Sequence, residues 1–162
     1  MLAYWVADPG IQSLYSEPVY STEGEVNALL DNYISSYESP DYYRWAIIEK
    51  ESGICIGQIA VFLVDNKNHF GEIEYALGKK FHRKGYATEA VKAVLDFCFN
   101  KINFHKVQVC HKSINIASQG VIRKCGFTYE GTLRDYFYMD GKYVDRLYYS
   151  MLQKEYTNNI NP

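Results

Sequence analysis

Between Gly71 and Phe99 the chain reads GEIEYALGKKFHRKGYATEAVKAVLDFCF, and this stretch holds the residue types best suited to chemistry. Lys79, Lys80, His82, Arg83 and Lys84 crowd cations around a loop that ends at Tyr86. Gly85 has no Cβ, so its backbone can take unusual dihedrals and lie close to a ligand. Ala87 and Thr88 stand where the first turn of a helix exposes unbonded N–H groups. The helix dipole adds roughly half a positive charge at that end. Cations, free N–H groups and a dipole at one point suit a pyrophosphate. An ordinary strand–loop–helix connection with a solvated basic turn carries the same local pattern. Neither G-x-x-x-x-G-K-[ST] nor a G-x-G-x-x-G after a strand occurs, so a Walker loop holding a nucleoside triphosphate is not implied.

Glu72 and Glu74 alternate on the strand before the loop and so share one face. They are open to acid–base work, to a solvated outer face or to salt bridges. Cys110 and His111 adjoin, but neighbours on a strand point to opposite faces, which argues against a nucleophile pair or a metal site. The four cysteines, at 55, 98, 110 and 125, form no C-x-x-C. Several lie in apolar runs, as expected of a reduced, cytoplasmic protein.

The elements that must position these residues follow from periodicity. A strand-like run ends at Leu77-Gly78. A helix starts near Ala87, where Ala90, Val91, Val94, Leu95 and Cys98 form a stripe able to lie on a sheet. Phe104–His111 reads as the next strand. Asn115 can cap a short helix that ends at Cys125-Gly126-Phe127. Met139-Asp140-Gly141 marks a hairpin between two further strands. Upstream, helical turns are expected near 8–16, and Thr22 with Glu25 makes a capping box for a helix to about Ser36. Strands are expected at Trp45–Lys50 and Ile54–Val64, joined by a turn at Ser52-Gly53.

The order EIEYALG, HRKGYATEA, Asn115-Ile116-Ala117-Ser118, Arg123-Lys124-Cys125-Gly126-Phe127, Glu130-Gly131 and Asp140-Gly141 resembles the GNAT superfamily of acetyl-CoA-dependent N-acetyltransferases. The branch it is most similar to contains the ribosomal-protein N-terminal acetyltransferases (RimJ/RimL type) and the spermidine acetyltransferases. The resemblance covers most of the span from about Arg44 to Leu152. It implies an α/β (α+β) fold: a mixed, mostly antiparallel, twisted sheet flanked by helices, with the family's fourth and fifth strands splayed apart. The family's first strand is expected to be short or missing, because MLAYWVADPG already reads as the start of a helix. Its loss leaves a sheet edge that another subunit could cover. One GNAT domain is expected over residues 1–156, with a polar tail at 157–162.

The resemblance also assigns roles. The family's pyrophosphate signature, Gln/Arg-x-x-Gly-x-Gly/Ala, reads here His82-Arg83-Lys84-Gly85-Tyr86-Ala87. His82 replaces the usual Gln or Arg, and Arg83 stands where a second Gly is often found. By resemblance, N–H groups from Arg83 through Lys84, Gly85, Tyr86 and Ala87 to Thr88 hold the CoA pyrophosphate. Ala76, Leu77 and Gly78 end the splayed strand, whose open backbone would pair with pantetheine. Asn115 matches the family's pantetheine-binding Asn, a role compatible with a helix cap. Ser118 could touch the thioester sulfur. Glu72 and Glu74 match the strand that carries the family's usual base, and the N–H near Leu77 its oxyanion donor. Many members place a general-acid Tyr where this chain has Ile122.

The implied reaction is direct transfer of acetyl from acetyl-CoA to a primary amine, on a protein N-terminus or a small molecule. An α-amine, with an unperturbed pKa of about 8, needs less help to lose its proton than a lysine or polyamine amine at about 10.4. A non-catalytic acyl-CoA-binding module or sensor would share the fold. The net charge of −2 gives no reason to expect nucleic acid. No metal, signal peptide or membrane span is expected, and a monomer or homodimer fits. Sixteen tyrosines are many for 162 residues. Tyr33, Tyr37, Tyr42 and Tyr43 flank an acceptor-side loop, and Tyr136, Tyr138, Tyr143, Tyr148 and Tyr149 cluster in the last hairpin. Strand packing explains them, as would an amphipathic pocket wall.

Overall fold

The computed structural model describes residues 1–160. The chain opens on a π-helical turn, Leu2–Val6, and no strand precedes Tyr43 among the described residues. Helix α1 (Pro9–Tyr15) starts where Asp8 accepts bonds from the Gly10 and Ile11 N–H groups, with Pro9 in the first turn where no donor is needed. Helix α2 (Glu23–Ser35) carries the expected capping box between Thr22 and Glu25. Strands β1 (Tyr43–Ile48), β2 (Cys55–Asp65) and β3 (Phe70–Leu77) form an antiparallel meander. Helix α3 (Tyr86–Asp96) follows the basic loop and relaxes into a π-helical turn at Phe97–Lys101. Strand β4 (Lys106–Lys112), helix α4 (Ile116–Lys124), strands β5 (Thr128–Met139) and β6 (Lys142–Leu152), and helix α5 (Gln153–Ile160) complete the order. Asp140 and Gly141 both have positive φ, the turn geometry that Asp-Gly favours in a two-residue hairpin.

Thr157 to Ile160 continue α5, although the sequence reading set them apart as a polar tail; residues 161 and 162 lie outside the described residues.

All six strands form one sheet in the order β1-β2-β3-β4-β6-β5. Only β3 and β4 run parallel. One face carries the main core: Ile59, Val61, Ile73, Val107 and Val109 pack against Val91 and Leu95 of α3 and Ile122 of α4. The expected α3 stripe is therefore what binds that helix to the sheet. On the other face, Ala76 packs with Trp5, Val6, Ile11 and Val26 from the N-terminal helices. With the family's first strand absent, β1 is a sheet edge, and β5 is the other.

One local feature of this topology makes the site. Strands β3 and β4 pair from Phe70↔Lys106 to Ile73↔Val109 and then stop, though β3 continues to Leu77 and β4 to Lys112. Residues beyond Ile73 and Val109 diverge and leave backbone groups without a ladder partner.

Candidate active site between the splayed strands

The cleft opens on both faces of the sheet. On the α3/α4 face lies a cavity of about 560 Å³, and through the splay lies a second of about 250 Å³. Leu14, Tyr15, Tyr75, Asn115 and Ser118 line both, so the two spaces meet at these residues.

The larger cavity gathers most of the expected donor-binding residues. Leu77, His82, Arg83, Gly85, Tyr86, Ala87, Thr88, Asn115 and Ser118 all line it. Gly85 is the N-cap of α3 and sits at φ +91°, a left-handed conformation that glycine adopts without strain. Having no side chain, it offers no cap bond to the first turn. The first N–H of α3 returned to the cap carbonyl is that of Glu89. The N–H groups of Tyr86, Ala87 and Thr88 are thus available at the positive end of the helix dipole. His82 places Nε2 3.0 Å from the Leu77 carbonyl and fastens the loop to the end of β3.

Three expected residues fall outside that lining. Ala76 is buried in the core under α1 and α2. Gly78 lies against Tyr4, whose carbonyl would come within 2.7 Å of an added Cβ. Lys84 reaches toward Glu49, 4.0 Å away. Lys79 pairs with Asp8, and Lys80 lies over the Tyr4 ring. The loop's lysines therefore hold the loop in place, and backbone groups face the cavity.

Backbone direction in β3 follows from its partners. Gly78 N–H bonds the Ile56 carbonyl on the β2 side. Tyr15 donates its hydroxyl to the Tyr75 carbonyl, which therefore faces the splay. Strand groups two residues apart share an edge, so the Leu77 N–H also faces the splay. It stands where a thioester oxygen entering the cleft could find a donor.

Asn115 caps α4, accepting from the Ser118 N–H at 3.1 Å, and still lines both cavities. Ser118 Oγ lies 2.8 Å from the Tyr75 hydroxyl. The Tyr75 hydroxyl is kept protonated by burial, which raises its pKa. Sequence reasoning missed Tyr75. It found Ile122 at the family's tyrosine position, and Ile122 is indeed buried core. The available signal was the alternation of Ile73 and Tyr75, which places Tyr75 on the α4 face.

The smaller cavity contains the charges. Glu72 is 1% exposed and accepts from Arg146 Nη2 at 3.0 Å, Gln108 Nε2 at 2.9 Å and Cys110 Sγ at 3.1 Å. Burial, with the Glu72 carboxylate beside it, pushes the Cys110 thiol up to about 12. Glu74 pairs with Arg44 Nη2 at 2.5 Å, and Arg44 lies 4.0 Å over the Tyr33 ring. Both glutamates line the smaller cavity on one face, as alternation required, and both are ion-paired. Of the tyrosines, Tyr33 and Tyr42 surround Arg44, while Tyr136 and Tyr148 flank Arg146. No group of three or more metal-ligating side chains occurs among the described residues, and no described helix is long and apolar enough to cross a membrane.

The chain is similar to known acetyltransferases. The family profile described as an acetyltransferase (GNAT) domain matches residues 1–128. An uncharacterized N-acetyltransferase, p20 of Bacillus licheniformis, is 34% identical over 113 residues, covering 70% of this chain and 64% of p20. The chain thus spans under two thirds of that relative's length. The spermidine N(1)-acetyltransferase of Vibrio cholerae is 24% identical over 148 residues, covering 91% of this chain and 83% of that one. A crystal structure of the Vibrio cholerae spermidine enzyme with CoA and spermine superposes with a TM-score of 0.81 at 23% identity, covering 94% and 88% of the two chains.

Proposed function

The chain belongs to the GNAT acetyltransferase family, and from that premise we propose that it transfers acetyl from acetyl-CoA to a primary amine by direct attack in a ternary complex. One observation carries the reading: two cavities, one on each face, meet at the open edge of β3. The α3 first turn would hold the pyrophosphate, and pantetheine would run along the open edge toward Tyr75. The acetyl carbonyl would lie at the Leu77 N–H, with the amine arriving from the Glu72/Glu74 side. The neutral amine nitrogen forms the new C–N bond and the C–S bond breaks; the nitrogen gives up one proton to water in the cleft, the thiolate takes one from a nearby hydroxyl, and water returns that hydroxyl's proton. The Tyr75–Ser118 hydroxyl pair, 2.8 Å apart at the meeting of the two cavities, would be the source of the thiolate's proton. Holding donor and acceptor in one cleft supplies much of the acceleration.

The RimJ/RimL-like branch, a cytoplasmic setting and a monomeric or homodimeric state complete the proposal. All four cysteines are free thiols, which agrees with a reducing compartment.

A second reading is favoured by one specific feature. Glu72 and Glu74 are each engaged by an arginine, as in a binding module that has no need of a base. The test is calorimetric titration of acetyl-CoA, with CoA and dephospho-CoA as controls, followed by thiol release with amines and N-terminal peptides. Micromolar binding with thiol release supports the transferase. Binding without release on any amine supports the sensor. No binding by a folded sample removes both.

A further inference from the structure

Lys112 is a buried cation that lacks a counter-charge. It lines the smaller cavity, and the residue is 4% exposed. Its Nζ donates to the Ser13 carbonyl at 2.5 Å and to Ser16 Oγ at 2.8 Å, and lies 4.6 Å from the Phe137 ring centroid. All three partners are neutral. An ammonium has three donors; two are used by hydrogen bonds, and the third has only the Phe137 ring near it. Lys112 takes part in none of the ion pairs among the described residues.

The rest of the cavity cannot neutralise it. Glu72 is matched by Arg146, and Glu74 by Arg44. His111 turns Nδ1 to the Lys112 carbonyl at 2.8 Å; an imidazole supplies no negative charge, and burial lowers its pKa and so favours the neutral ring. Glu17 lies toward Glu74 and Arg44 but is exposed and outside the lining. The lining carries two carboxylates, Glu72 and Glu74, each matched by an arginine, and Lys112 is the cation in it that stands outside those pairs. A buried ammonium in that setting is costly unless an anion joins it. A polycationic acceptor would need free carboxylates, and each one here already faces an arginine.

We propose that Lys112 binds a carboxylate carried by the acceptor a few bonds from its amine, so that the preferred substrates are acidic amines and not polyamines. This inference rests on the reading of the cleft as an acetyl-transfer site. Such a carboxylate has two sources: an acidic side chain at the start of a peptide, or the main-chain carboxylate of a free amino acid.

The experiment measures thiol release, and acceptor binding to the CoA-loaded protein, for matched pairs. Peptide amides beginning with Glu or Gln form one pair. A free amino acid and its amide form the other, with spermidine alongside. We expect the carboxylate member of at least one pair to exceed its amide by about tenfold or more in kcat/KM, mainly through KM. The pair that responds identifies the source. The preference should vanish in Lys112→Met and persist in Lys112→Arg, with acetyl-CoA affinity unchanged in both. Lys112→Gln, which keeps an uncharged N–H donor on a side chain one bond shorter, replaces the Met variant if that one fails to fold. Equal rates within both pairs, faster turnover of spermidine, or a preference retained without the cation would overturn the proposal while leaving the transferase intact. Failure to bind acetyl-CoA or to acetylate any amine is a different result, which removes the transferase reading and this one with it.

Discussion

Gly85→Glu tests the donor site most directly. Gly85 sits at φ +91°, and an added Cβ would meet no heavy atom within 4 Å. The substitution therefore adds backbone strain of about 1–2 kcal/mol without a clash. In a domain of this size, 1 kcal/mol lowers Tm by only ~2–4 °C. Binding should suffer far more. The N–H groups of Tyr86, Ala87 and Thr88 have no side-chain cap in the folded chain. Each bond they would make to a charged phosphate is worth ~1.5–3 kcal/mol. A carboxylate at position 85 would compete for these donors and repel the diphosphate. Losing two such bonds removes ~3–6 kcal/mol, which weakens acetyl-CoA binding by at least about 100-fold. Gly85→Ala imposes the strain without the charge and should retain most of the affinity. Calorimetry with acetyl-CoA, beside a thermal melt, reads both quantities. A folded Gly85→Glu variant with parental affinity would refute the assignment of this loop to pyrophosphate.

Other perturbations separate roles that share a residue. Asn115→Ala removes the α4 cap and should cost about 1 kcal/mol of stability; weaker CoA binding or slower turnover as well would give Asn115 its second role, and a change in the melt alone would leave it a cap. Glu72→Gln should destabilise more than Glu74→Gln, because Glu72 is fully buried against Arg146 while the Glu74 side chain is 35% exposed. The double variant should shift the pH–rate profile upward if either glutamate is the base, and an unchanged profile removes both. Tyr75→Phe should preserve acetyl-CoA binding and lower turnover by roughly 100-fold; unaltered turnover would hand the proton to Ser118 alone or to water.

The fold was legible where local signals and burial agree. The α3 stripe, the Thr22/Glu25 box, the Asn115 cap and the Asp-Gly turn all specify short-range geometry, and the structure realises each of them. Strand limits drifted by a few residues, since pairing partners set them: β4 was expected at Phe104–His111 and runs Lys106–Lys112. The basic loop was only half legible. Its sequence shows five cations but cannot show which of them turn away, and contacts with Asp8, Tyr4 and Glu49 take three lysines from the cavity. Lys112 was invisible for the same reason. Its importance comes from α1, nearly a hundred positions upstream, folding over it.

The chemistry of the cleft turns on what replaces a missing hydroxyl. Ile122 is part of the core, so helix α4 presents no tyrosine at the position where the resemblance implies a general acid. A tyrosine hydroxyl nevertheless reaches the same helix from the opposite wall, because Tyr75 crosses from β3 to Ser118. Burial keeps it protonated, which a proton donor to a thiolate requires and a base would not tolerate. Its backbone carbonyl is held by Tyr15, so the strand edge that positions the hydroxyl is itself anchored by α1. On the proposed reading, the donor side would thereby have a proton and an N–H at Leu77, and the arginine-bound glutamates would line the acceptor side. An amine entering there meets carboxylates whose charge is already shared. Catalysis in such a cleft would draw more on alignment of two substrates than on a strong base, and it would favour acceptors whose amine loses its proton readily. An α-amine meets that demand better than a polyamine, and an α-amine close to a carboxylate also answers the unmatched charge on Lys112.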